Sequence, residues 1–133
     1  MNVFSLKYFG IYLIVISFFS FFNIIYSYYF NLYLNLDTYY LSLVLSLIIS
    51  ILFYKIKFPK TKITIFDKIL TVFTGYILLP LILSIPFYFS IYNLTFLNSF
   101  FEGVSGFTST GFTIFENIKH IDQGLIIWRS SIQ

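Results

Sequence analysis

The residues best suited to chemistry lie in one run, Ser105-Gly106-Phe107-Thr108-Ser109-Thr110-Gly111-Phe112-Thr113. Hydroxyls and glycines gather there in a chain that is otherwise almost continuously apolar. At membrane depth, backbone outside a helix is tolerated only where protein buries it or a water-filled path meets it. Glycine lets such backbone take unusual dihedrals. A ladder of carbonyls and hydroxyls can replace the water shell of a small cation. The chemistry on offer is therefore ion coordination, and the run reads as one quarter of an ion-selectivity filter.

Other reactive side chains are few. Glu102 stands just before the run and Arg129 well after it. An ionisable group at membrane depth needs a partner, so Glu102 and Arg129 are expected to form a structural pair behind the filter. His120 and Asp122 form no metal or acid–base constellation, and a lone His beside one acid reads as a solvated loop. Gly106 and Gly111 have phosphate-loop spacing, but no Lys follows. With no Cys, thiolate metal sites and disulfides are excluded. No nucleophile–base pair is visible, so an enzyme is not expected.

The elements that must position these residues follow from composition. Of 133 residues, 59 % are hydrophobic and only 10 % are charged, against about 25 % charged in a soluble domain. This predicts an all-α integral membrane protein. Tyr8 to Phe30 is the first apolar run and suffices to span a bilayer, which takes about 20 helical residues. It has no Ala for a cleavage site and reads as a retained helix. Ser17, Ser20 and Asn23 within it are expected to make helix–helix contacts or back-bonds. Tyr39 to Tyr54 is the second run, after a turn that holds Asp37. Its Ser42, Ser46 and Ser50 share one helical face and predict close packing. Ile69 to Ile91, with Gly75, Pro80 and Pro86, is the third.

Lys55, Lys57, Lys60, Lys62 and Lys68 cluster between the second and third runs. Basic residues beside apolar runs mark the cytoplasmic side, so residues 55–68 and the N-terminus are expected there. A lipid- or nucleic-acid-binding patch is the alternative reading of these lysines. After the third run, Thr95 or Asn98 can cap a helix that ends by Phe107. About 12 residues at 1.5 Å each cannot cross a bilayer, so this helix is expected to be re-entrant. Its C-terminal end carries partial negative charge and favours a cation at the run that follows. Polar residues 114–123 lead to another apolar start at Gly124. Too little chain follows to complete a span, so the sequence is expected to be the N-terminal part of a larger protein.

Phe100 to Thr113 resembles the first pore loop of the Trk/Ktr potassium-uptake family. Gly124 to Gln133 resembles the start of that repeat's second membrane helix, and Leu83 to Phe87 the outer end of its first. The resemblance implies four helix–pore loop–helix repeats around one pore. It divides the chain into two N-terminal helices with a basic loop (1–66) and an incomplete first repeat (67–133). It assigns potassium to Thr108, Ser109, Thr110 and Gly111, with Phe112 beside them. Gly111 is the position where plant relatives that favour sodium carry Ser. Ser109 stands where Thr is more usual. The family further implies a homodimer in the plasma membrane, in contact with lipid, and a cytoplasmic nucleotide-binding regulatory subunit. No nucleic acid and no cofactor beyond the transported ion are implied. The competing reading is a small multi-pass accessory or scaffold protein whose threonine-glycine loop is a packing turn.

Overall fold

A computed structural model describes residues 4–55, 64–116 and 120–133. They form helices α1 (Phe4–Tyr29), α2 (Leu36–Lys55), α3 (Ile65–Leu83), α4 (Ile85–Tyr88), α5 (Phe96–Phe107) and α6 (Gln123–Ile132). No strand occurs among the described residues. Three stretches are long and apolar enough to cross a membrane: Phe9–Tyr29, Leu36–Lys55 and Ile65–Tyr88. Each turns large apolar side chains outward, among them Phe18, Phe21, Ile48, Leu52, Val72 and Phe73. Such a surface suits hydrocarbon and would be costly in water. The chain is a multi-pass membrane protein. Lys57, Lys60 and Lys62, central to the expected orientation, lie outside the described residues.

In hydrocarbon no hydrophobic force draws helices together, so small residues and polar ties hold them. The α1–α2 hairpin follows this rule. Ser42, Ser46 and Ser50 are all buried. Ser42 and Ser20 share a hydrogen bond at 3.1 Å, and the Ser50 hydroxyl donates to the Gly10 carbonyl at 2.9 Å. Ser17 and Asn23 back-bond to Ile14 and Phe19 carbonyls. Asn31, with φ +56°, reverses the chain between the two helices.

The third run, expected at 69–91 with prolines that kink it or free its carbonyls, forms two helices. It begins earlier, at Ile65, because Thr64 and Asp67 form a reciprocal capping box. It is also broken at Ser84, between Pro80 and Pro86. Pro86 has no N–H to continue the ladder. The Leu83 carbonyl at the break accepts from the Trp128 indole at 3.1 Å. Gly103 of α5 packs against the same place, where an added Cβ would lie 2.6 Å from the Pro80 oxygen. Buried Leu79, Leu83, Phe87, Leu125 and Trp128 fill the core around the break.

Candidate functional site

Helix α5 starts where Thr95 accepts from the Asn98 N–H at 3.3 Å, so Thr95 is the cap and Asn98 the capped residue. The helix has 12 residues and is about 18 Å long. It ends at Thr108 in a regular pattern. The Thr110 N–H reaches the Ser105 carbonyl at 3.1 Å, and the Ser109 N–H reaches that of Gly106 at 2.9 Å. These two bonds define a Schellman cap, which needs a left-handed residue just past the helix. Ser109 takes that place with φ +55°, and Gly111 is left-handed again at φ +78°. Two left-handed residues so close reverse the chain and leave Ser109, Thr110, Gly111 and Phe112 exposed.

Three groups hold the loop from beneath. The Ser105 hydroxyl donates to the Phe112 carbonyl at 2.5 Å. Glu102 is fully buried, and its Oε1 accepts from the Thr113 hydroxyl and the Ile114 N–H, both at 2.7 Å. Arg129 Nη2 donates to the carbonyls of Gly111 and Phe112 at 3.0 and 2.8 Å. Glu102 and Arg129 also meet each other, with Nε 3.3 Å from Oε2. Neither of those two atoms has a hydrogen bond, so proximity there is coulombic and unaligned. The carboxylate, guanidinium and loop carbonyls form one connected set. The loop binds the set's positive end, as the C-terminal end of a helix dipole would favour.

Helix α6 delivers Arg129. It is fixed by Trp128 on Leu83, and Asn23 of α1 donates to the Ser131 hydroxyl at 3.3 Å. The Ser109 hydroxyl in turn donates to the Gln133 carbonyl at 2.6 Å. A cavity of about 220 Å³ lies between Gly111, Arg129 and Gln133 on one side and Phe87 and Leu125 on the other.

The sequence-predicted residues fall out as follows. Thr108, Ser109, Thr110, Gly111 and Phe112 lie together on the loop. Among the described residues nothing donates to the carbonyls of Thr108, Ser109 and Thr110, whereas Arg129 takes those of Gly111 and Phe112. Glu102 and Arg129 lie together beneath. One expectation fails: Asp122 is not in a solvated loop. His120 is exposed, but Asp122 is buried at 8 % exposure. Its carboxylate accepts from Asn35 at 3.1 Å, and its N–H donates to the Tyr92 hydroxyl at 2.6 Å. Sequence reading did not single out Asn35 and Tyr92 as partners of Asp122, and it placed Ser105 and Thr113 in the loop without their bonds to the Phe112 carbonyl and to Glu102. Asn35 and Tyr92 are ordinary in type, and only proximity across 87 and 30 positions links them to Asp122. The sole available signal was Ser105, three residues after the buried acid and on its side of the helix.

No family model matches this chain, and no solved structure matches it. It is similar to the Trk system potassium uptake protein TrkG of Escherichia coli (strain K12), with 33 % identity over 67 residues. The match covers 50 % of this chain and only 14 % of that relative. A distant, partial similarity to a Trk-type potassium transporter thus joins the three apolar helices. The relative is named for uptake and not for an enzymatic reaction.

Proposed function

We propose that this chain supplies one selectivity-filter loop to a potassium uptake protein of the plasma membrane. In this reading α5 is a re-entrant pore helix and α6 the start of a fourth membrane helix. Residues 67–133 make up an incomplete first repeat behind the two-helix segment 1–66. Further repeats, a second copy in a dimer and a cytoplasmic nucleotide-binding regulator complete the machine, with the N-terminus in the cytoplasm on the strength of the lysine cluster.

The observation that carries the reading is the loop at the end of α5. Three carbonyls with no donor among the described residues, those of Thr108, Ser109 and Thr110, follow directly on a helix C-terminus. Free carbonyl oxygens at the negative end of a helix dipole suit a dehydrated monovalent cation. Gly111 would supply the left-handed turn that aims them. The Gly111 and Phe112 carbonyls would be held in line by Arg129 from behind. The partial similarity to a potassium uptake protein supports potassium as that cation.

The test uses the longest open reading frame that contains this chain, expressed in a bacterium deficient in potassium uptake. Growth at low external potassium is expected, and Gly111→Ser should lower the preference for potassium over sodium. Normal expression without rescue, together with tolerance of bulky residues at Thr110 and Gly111, would instead favour the scaffold reading.

A further inference from the structure

We propose that the α1–α2 hairpin positions the 108–113 loop, with Asn35 as the residue that fixes it. Asn35 lies in the turn before α2 and is buried. Its Oδ1 accepts from the Ile91 N–H at 3.1 Å, and its Nδ2 donates to Asp122 Oδ2 at 3.1 Å. One side chain therefore ties the hairpin to both flanks of the pore-loop segment, the chain entering it at Ile91 and the chain leaving it at Asp122. The Tyr92 hydroxyl closes the ring onto the Asp122 N–H.

The tie reaches the loop through α6. Asp122 is the N-cap residue of α6 but makes no side-chain capping bond. Its carboxylate is committed to the hairpin instead. Two turns further along α6, Arg129 grips the Gly111 and Phe112 carbonyls. A second tie, Asn23 to Ser131, holds α6 against α1 beyond that point. Between the two ties Gly124 lets the helices close up, since a Cβ there would lie 3.0 Å from the Tyr39 hydroxyl. α6 is thus clamped to the hairpin both before and after the residue that holds the loop. Asn35 touches neither loop nor ion. It acts through Asp122 and α6.

This inference rests on the filter reading, and the experiment separates the two. The complete protein carries three variants: Asn35→Ala, Asn35→Asp and the exchange Asn35→Asp with Asp122→Asn. In the exchange, the new carboxylate accepts from both the Ile91 N–H and the new amide, so every bond survives. Asn35→Ala strands both the Asp122 carboxylate and the Ile91 N–H, and each buried hydrogen bond lost is worth up to about tenfold in an equilibrium. Asn35→Asp sets two acceptors face to face. Both single variants should raise the KM for potassium about tenfold or lower potassium-over-sodium preference by as much at equal membrane abundance, and the exchange should restore it.

A second readout needs no transport. In a cysteine-free background, Phe112→Cys reports loop exposure by its rate of reaction with a membrane-impermeant maleimide. Asn35→Ala should change that rate several-fold, and the exchange should return it. Unchanged labelling and selectivity in the single variants would overturn the positioning role. So would variants that differ only in abundance, or an exchange that restores abundance but not selectivity. Changed labelling in a protein that never moves potassium would keep the hairpin as the loop's support while removing the filter reading.

Discussion

The α1–α2 hairpin and the segment from Ser84 to Phe115 use polar groups in opposite ways. In the hairpin, Ser17, Ser20, Ser42, Ser46 and Ser50 bond to the next helix or back to their own, and both helices run unbroken. In the second segment the backbone is broken at Ser84 and reversed at Ser109 and Gly111. There a fully buried carboxylate and a guanidinium satisfy backbone groups that no helix can. Irregular backbone within a membrane protein must find such partners or be excluded from lipid. In the hairpin the polar bonds therefore tie together helices whose own backbone is already satisfied, while the loop's backbone depends on particular side chains.

The largest test of that contrast is Glu102→Ala. It leaves Arg129 without its counter-charge and the Ile114 N–H without an acceptor. Removing one member of a buried pair costs about 3–5 kcal/mol, read as the shift in denaturant midpoint of the purified protein in detergent. The charge exchange of Glu102 and Arg129 should not restore stability, because an arginine at 102 cannot accept from Thr113 or Ile114. Restoration would show that coulombic attraction alone matters.

Next in size is Gly103→Val. Its Cβ would meet the Pro80 carbonyl at 2.6 Å, and overpacking of this kind costs about 1–3 kcal/mol. A value near zero would mean that α5 can move off the break in α3. Ser109→Gly should go the other way. Left-handed backbone costs a non-glycine residue about 1–2 kcal/mol, part of which the bond to Gln133 offsets. A gain of stability by thermal unfolding, with altered ion preference, would mark Ser109 as kept for the loop and not for the fold. Smallest is Ser42→Ala in the hairpin. Hydrogen bonds between membrane helices average about 0.6 kcal/mol, so a loss several times larger would erase the difference between the two regions.

Much of the hairpin was legible in the residue order. Its serine stripe at four-residue spacing specified both the face and the kind of contact. The short helix α5 was equally legible, from a capping Thr and from apolar residues that stop at a glycine-rich run. Less so was the third span. Its prolines announced a disturbance, but not that Trp128 and Gly103 would occupy the break. Arg129 was legible as a partner for Glu102 and illegible as a partner for the loop carbonyls, because backbone acceptors carry no residue signature. Asp122 was misread because a polar neighbourhood in the order of residues says nothing of what folds over it.

By itself the order of residues determined which stretches are apolar enough to enter a membrane, where small residues allow helices to touch, and which run is free to leave helical geometry. These are local properties of side-chain chemistry and backbone freedom. Tertiary structure alone decided that Asn35 meets Asp122 across 87 positions, and that Arg129 reaches back to Gly111 and Phe112. Such pairings arise because buried donors and acceptors must find each other once the helices pack, and only the packed arrangement says which ones are within reach.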